Sequence, residues 1–478
     1  MKKYISILLL AGCIQLGSCS SYLDVKPEDK YLEDQVFNSE TTINLAVNGV
    51  YLSIADNNLY GANLSTTTVE VLAQRYNIAA SGSTFSQYNA YAYNDATVQG
   101  GFDAIWTNAY ASILNINKFL NKLENSRQVI PAGKADILKG EMLGLRACLH
   151  FDLLRLFGPI YNTSDSTAPS IPFRSLPTAD LQSILPANQV MDSILTDLNK
   201  AESLLAGDPV RTAGMMNNLL NDGTDFYRIR NRRMNFYAVK SLQARVQLYR
   251  GSKAAALTAA NQVISEGETW LPWLNYKRIT SDQANPDRIF SPEIIFGAEC
   301  SQMYNNQLKF FAGTVTDASI LAPYATRLSD NFENNENDYR YVYVWILPSD
   351  GGKNYRTFFK YADIQSKDSL YRFLQPLIRK TELYYIIAEC ETDPVRALTA
   401  LNTVRYNRGI TDLPATANIA TEIQKEYVKE FYGEGQLFFF YKRRNLPSIP
   451  RGSAPTGVIS MNKATYVVPL PLSETSMR

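Results

Sequence analysis

The chain has 478 residues, and its 47 lysines and arginines balance 46 aspartates and glutamates, for a formal charge of +1. That balance excludes a polyanion binder held by bulk charge and leaves nucleic acid out of the expected partners. One histidine against 30 tyrosines points away from hydrolytic chemistry, which leans on imidazole, and toward contact surfaces with a flat apolar face and a polar handle.

At the start, Lys2 and Lys3 precede an apolar run from Ile5 to Ile14, and Leu16-Gly17-Ser18-Cys19 follows it. A basic n-region, a short apolar run and small residues before a cysteine form a lipoprotein processing pattern, so residues 1–18 are expected to be a signal peptide removed before Cys19. The run is too short to span a bilayer. Lipidation at Cys19 with more than one acyl chain gives a stable anchor where a single chain would not. Residues 19–38, with Pro27, mixed charge and no period, read as a leash, and residues 39–478 as a single domain.

Helical spacing begins with Ile43, Val47, Val50 and Ile54, with Ser39 as the expected N-cap. Tyr60 to Ala96 is rich in Ser, Thr, Asn and Tyr and is expected to be irregular, with a frayed helix around Thr67 to Tyr76. Two strong helices follow, one traced by Phe102, Ile105, Ala109, Ile113, Ile116 and Leu120, the other by Ile137, Met142, Leu145, Leu149, Leu153 and Leu156. The second is apolar on most of its circumference and stops at Gly158-Pro159, so it is expected to be central and buried. Pro159, Pro169, Pro172, Pro177 and Pro186 mark an extended surface connection, after which Val190, Ile194, Leu198 and Leu205 resume the helical period.

Phe236–Arg250 and Lys253–Ser265 are joined only by Gly251-Ser252, with Ala238, Leu242, Ala244 and Val246 expected to face Ala255, Leu257, Ala260 and Ile264. Leu377–Cys390 and Val395–Arg408 repeat the arrangement. Helix, tight turn, helix with alanine-lined contact is the logic of a tetratricopeptide unit, and such units must stack because one hairpin cannot bury its own face. The expected fold class is therefore mostly α, with tetratricopeptide-like hairpins forming the scaffold. Residues 266–376 differ: aromatics are set among Asn, Gly, Pro and Asp, with a short strand expected at Tyr341 to Leu347.

Few residues suggest catalysis or metal binding. Cys148, Cys300 and Cys390 are widely spaced and form no CxxC pair, so neither a disulfide framework nor a zinc site is expected. His150, on the central helix, reads as structural. Asp330 to Asp338 is acidic but lacks the EF-hand spacing and its glycine, so a solvated loop is expected rather than a calcium site. No cofactor is expected. Arg379 and Glu382, three apart on a helix, are expected to pair.

Taken together, Cys19 with Tyr22-Leu23-Asp24, the run Leu145-Arg146-Ala147-Cys148-Leu149-His150-Phe151-Asp152-Leu153-Leu154-Arg155-Leu156-Phe157-Gly158, Asp197-Leu198, and Leu377-Ile378-Arg379-Lys380-Thr381-Glu382-Leu383-Tyr384 resemble the SusD/RagB family of outer-membrane nutrient-binding lipoproteins of Bacteroidetes. The segment Glu434 to Arg443 departs from the family's usual pattern. The resemblance implies a SusD-like α-α superhelix on the cell surface, lipid-anchored in the outer membrane. It further implies a SusC-like TonB-dependent transporter as partner, an oligosaccharide or peptide as ligand, and no enzymatic activity.

Sugar rings stack their CH-rich faces on aromatic side chains and need Asn, Asp, Gln or Arg at the rim. Two clusters combine these ingredients: Tyr76, Tyr88, Tyr91 and Tyr93 with Asn77, Gln87 and Asn94, and Trp273, Tyr276, Tyr304 and Trp345 with Asn275 and Asn305. These eight aromatics are the expected ligand-binding residues. Two other classes stay open at this point: a lipid-anchored glycoside hydrolase, which needs two carboxylates about 5 to 10 Å apart, and a helical-repeat scaffold that binds only proteins.

Overall fold

Helix α1, Glu40–Ile54, begins where Ser39 Oγ accepts a hydrogen bond from the Thr42 N–H at 3.2 Å, and it buries Ile43, Val47, Val50 and Ile54 on one stripe. The chain is described from a computed structural model over residues 36–215 and 218–478. The signal peptide 1–18, Cys19 and nearly all of the leash 19–38 lie outside the described residues.

Helix α2, Ala96–Asn125, is capped by Asp95 Oδ1, which accepts from the N–H groups of Thr97 and Val98 at 2.9 and 3.3 Å. Helix α3, Ala132–Phe157, is buried on nearly every side, as its all-round apolar composition predicts. Its last carbonyls are satisfied from a distance: Lys442 Nζ donates to the carbonyls of Arg155, Leu156 and Gly158 at 2.7, 3.2 and 2.8 Å. A buried cation at a helix C-terminus fills the orphan acceptors and complements the dipole, which ties the C-terminal region to the centre.

The proline-rich connection holds an antiparallel ribbon of β1, Pro169–Pro172, and β2, Ile184–Pro186, with Ile171 fully buried, so it lies less on the surface than its composition suggests. Then come α4, Ala187–Leu204, α5, Phe236–Arg250, and α6, Lys253–Gly267. Gly251 takes the left-handed conformation, φ 89°, that lets α5 reverse into α6 within two residues. Of the expected stripe on α6, Ala260 is buried and Leu257 and Ile264 are half-buried against the core, whereas Ala255 is exposed; Ala256, Ala259 and Val263 complete the buried face.

Strand β3, Ile294–Glu299, runs antiparallel to β6, Leu374–Arg379; the two-residue strands β4, Trp345–Ile346, and β5, Thr357–Phe358, pair beside them. The third hairpin is α7, Lys380–Cys390, with α8, Pro394–Tyr406; α9, Ile419–Glu430, packs on both, and α10, Leu437–Arg443, follows. Strands β7, Ser448–Pro450, and β8, Val458–Ser460, form a last ribbon. In space α3 lies along α4, α4 on α5, α5 along α6, α6 on α7 and α7 along α8, which is the stacked-hairpin scaffold.

Two expectations for the third hairpin are corrected. Leu377 to Arg379 is strand rather than helix, because β3 supplies the pairing edge. Arg379 is therefore extended, with φ −122° and ψ 152°, and turns away from Glu382. It pairs with Glu430 and with Glu434, the latter at 2.8 Å, while Glu382 takes Arg245 of α5 in two bonds of 2.7 and 2.6 Å. The same bidentate geometry joins Arg146 of α3 to Asp197 of α4.

Buried charge also holds the loop-rich half to the scaffold. Arg408 pairs with Glu293 at 2.6 Å and Glu430 at 2.7 Å, and Arg340 with Asp338, Glu426 and Glu430 at 2.7, 2.8 and 2.8 Å. Burial alone would raise the Glu430 carboxyl, but Arg408, Arg379 and Arg340 hold it well below the usual carboxylate range. The expected strand at Tyr341 to Leu347 shrinks to Trp345–Ile346, preceded by a helical turn at Tyr339–Val342.

Candidate functional site

The segment from Tyr60 to Ala96 is irregular, with short helical turns at Thr68–Leu72 and Ser86–Asn89, yet it packs into the core. Four of its five tyrosines point their hydroxyls at backbone carbonyls: Tyr76 at Thr66 (2.9 Å), Tyr88 at Thr97 (3.1 Å), Tyr91 at Leu72 (2.7 Å) and Tyr93 at Thr465 (2.7 Å); Tyr60 donates to Asp152 at 2.6 Å. Thr66 and Leu72 belong to the segment itself, whereas Thr97 lies in α2 and Thr465 in the helical turn Lys463–Tyr466, so these phenols both satisfy carbonyls of the irregular segment and tie it to its neighbours. Tyr76, Tyr88 and Tyr93 are buried, so they offer little or no ring face to a ligand; Tyr91 is half-buried. The rim residues Gln87 and Asn94 are exposed and Asn77 is half-buried.

The second cluster divides. Trp345 is 1% exposed, sandwiched by Phe358 and Tyr432 with ring centroids 4.9 Å from each, and has no free face. Trp273 is half-buried against Tyr384, with Lys380 Nζ 3.9 Å from its ring centroid. Tyr304 is half-buried beside Phe373, under the Arg372 guanidinium at 4.8 Å. Tyr276 is different: it is 53% exposed and stacks on Tyr339 at 6.4 Å with an interplanar angle of 19°.

Tyr343 lies 6.3 Å from Tyr339, and Tyr406, 77% exposed at the end of α8, stands close enough to act on the Tyr339 phenol. Together Tyr276, Tyr339, Tyr343 and Tyr406 make a tyrosine shelf whose hydroxyls take no hydrogen bond from the described residues. Gly409 makes the shelf possible. Its φ is 78°, and a Cβ there would come within 2.5 Å of the Tyr339 ring. Beneath the shelf, Leu274, Ile279 and Phe290 form a small separate core on which Tyr339 and Tyr343 rest.

Tyr276 also caps the helical turn Lys277–Thr280, whose Arg278 enters a neighbouring polar cleft of about 640 Å³. Asn218, Asn231, Arg232, Ser291 and Tyr371 line that cleft with Arg278. Backbone strain gathers at its wall. Asn221 lines it at φ 57°, Phe290 at φ 56° precedes Ser291, and Phe373 at φ 67° lies two residues beyond Tyr371. A left-handed non-glycine residue costs roughly 1–2 kcal/mol, and such strain gathers at functional sites. Tyr371 is fixed by its hydroxyl, which donates to the Asn285 carbonyl at 2.8 Å.

Composition flagged Tyr276 and Tyr304, but Tyr371 and Tyr406 went unselected. Nothing local unites positions 276, 339 and 406. The usable signal was Gly409 just past a helix end, which marks a tight turn but not what lies over it.

The chemistry elsewhere is structural. His150 is buried and neutral: Nδ1 meets the Arg146 carbonyl at 2.9 Å, Nε2 accepts from the Arg174 N–H at 3.0 Å, and the ring stacks on Phe173 at 4.2 Å. Burial pushes its pKa down to about 3. In the acidic loop, Glu333 pairs with Lys425, Glu336 with Arg356 and Asp338 with Arg340. Cys148, Cys300 and Cys390 are buried free thiols. Among the described residues no helix is long and apolar enough to cross a membrane.

A family model described as starch-binding associating with outer membrane matches residues 21–214, and the SusD family model matches residues 317–464. A SusD-like protein of Formosa agariphila is 26% identical over 212 residues, 43% of this chain and 38% of that protein, so the match spans well under half of that relative. Two solved structures are similar in fold. A SusD superfamily protein from Bacteroides thetaiotaomicron has a TM-score of 0.73 at 20% identity, covering 92% of this chain and 98% of the other. A laminarin-binding SusD-like protein has a TM-score of 0.62 at 16% identity, covering 92% and 97%.

Proposed function

Because the chain belongs to the SusD/RagB family, we propose that it is a glycan-binding surface lipoprotein that captures oligosaccharides and passes them, chemically unchanged, to a TonB-dependent outer-membrane transporter. The observation that carries this reading is the shelf of Tyr276, Tyr339, Tyr343 and Tyr406, open to solvent beside a polar cleft of about 640 Å³. A sugar ring lays its CH face on Tyr276 or Tyr406, and its hydroxyls meet the amide, hydroxyl and guanidinium groups of the cleft. The shelf is held by Gly409 and the small core below, so little ordering entropy is lost on binding.

A binding role without catalysis fits the lining of the cleft. Glycoside hydrolysis needs two carboxylates flanking the bond, and among the described residues lining the cleft Asp368 is the one acid. In this scheme Cys19 carries the lipid, the residues behind it form a tether, and the hairpin scaffold faces the transporter.

Calorimetric titration of the protein against panels of neutral and acidic oligosaccharides and of peptides tests the ligand class. Binding of an oligosaccharide that weakens in Tyr276→Ala is the expected result. Peptide binding alone, or glycan binding indifferent to the shelf, would overturn it. Co-purification of a stoichiometric barrel from mildly solubilised membranes tests the transporter partnership.

A further inference from the structure

The charge pattern of the cleft names a glycan class, and the inference rests on the glycan reading above. Arg230, next to the cleft, is fully buried and locked, holding Asp208 through two bonds of 2.9 and 2.8 Å and Glu141 through one of 2.7 Å. Arg232, on the wall, pairs with Glu299 at 2.8 Å. Arg278 is in a different state. Its side chain is 48% exposed, and the carboxylate nearest to it is Asp287 at 3.9 Å. Asp287 is already occupied, accepting from the Ser291 N–H at 3.0 Å and the Ser291 hydroxyl at 2.6 Å. Arg278 therefore brings a planar fork of donors to the cleft without a close carboxylate partner among the described residues.

A second observation marks the same wall. Asn231 is nine-tenths buried, and its Oδ1 receives no hydrogen bond from any described residue. A buried acceptor left without a donor is costly, and a hydroxyl-bearing ligand in the cleft would supply the missing donor.

We propose that the cleft selects a glycan bearing a carboxylate, as a uronic acid does, with Arg278 as the carboxylate fork and Asn231 as a hydroxyl acceptor. A guanidinium holds a carboxylate through two parallel hydrogen bonds, which discriminates an acidic sugar from its neutral counterpart. Asp368, exposed on the cleft lining and without an ion pair among the described residues, opposes the same ligand. Removing Arg278 and removing Asp368 must therefore act in opposite directions.

The experiment is calorimetry of the full chain against an oligouronate and its carboxyl-reduced neutral form. The oligouronate is expected to bind about tenfold more tightly, a difference of the size a charge-assisted pair confers. Raised salt shrinks the difference, Arg278→Gln abolishes it, Arg278→Lys keeps part of it and Asp368→Asn enlarges it. Equal affinity for the two forms, or preference for the neutral one, overturns this inference and leaves the glycan reading standing. Failure of every glycan, neutral or acidic, overturns both.

Discussion

Two groups of tyrosines with similar local composition do opposite work. The loop tyrosines Tyr76, Tyr88 and Tyr93 are buried, and together with Tyr91 they point their hydroxyls at backbone carbonyls of their own segment, of α2 and of a helical turn near the C-terminus. In the shelf, Tyr276 and Tyr406 are exposed to solvent, and their hydroxyls take no hydrogen bond from the described residues. The distinction lies in what surrounds each ring. A loop running through the core needs donors, whereas a turn raised over a three-residue apolar patch needs none.

The largest effect that can break this comparison is in the loop. Tyr76→Ala should destabilise the protein by about 4 kcal/mol, read by urea unfolding, because it removes a fully buried aromatic. Glycan affinity of the folded fraction should stay unchanged; a lost affinity there would move the site to the loop.

Next comes the pH response of the buried scaffold. Burial lowers the folded-state pKa of His150 to about 3 from its ordinary 6.5. The unfolded chain therefore binds the extra proton first, and stability falls as pH drops below 6.5 toward 3. The expected loss from this group is about 2 kcal/mol at pH 5 relative to pH 8. Affinity for a neutral glycan should be flat across that range. His150→Gln should flatten the stability curve between pH 6.5 and 5; an unchanged curve would show that His150 does not drive it.

Tyr276→Ala should leave the melting temperature nearly unchanged and weaken glycan binding roughly tenfold, about 1.4 kcal/mol. The smallest test removes single oxygens. Tyr93→Phe strands the Thr465 carbonyl and should cost about 1 kcal/mol of stability. Tyr276→Phe breaks no protein hydrogen bond and should leave stability within about 0.5 kcal/mol of wild type.

Much of the scaffold was legible in the sequence because helical periodicity is a local property. Ser39, Gly158 and Gly251 marked helix ends that the structure confirms. The errors came where a distant partner decides. Leu377 to Arg379 became strand because Ile294 to Glu299 offered an edge, and Arg379 found Glu430 and Glu434 rather than the nearby Glu382. The site was less legible for the same reason. Tyrosine-rich composition selected both clusters, but exposure depends on contacts hundreds of residues apart, such as Tyr93 on Thr465, and on Gly409 beneath Tyr339.

Oxidative footprinting with mass-spectrometric readout, with and without a saturating oligosaccharide, tests the central claim most directly. The account predicts that Tyr276 and Tyr406 are modified in the free protein and protected by ligand, while Tyr76 and Tyr93 are unreactive in both. Ligand protection confined to the 76–94 loop, with an unprotected shelf, would contradict it.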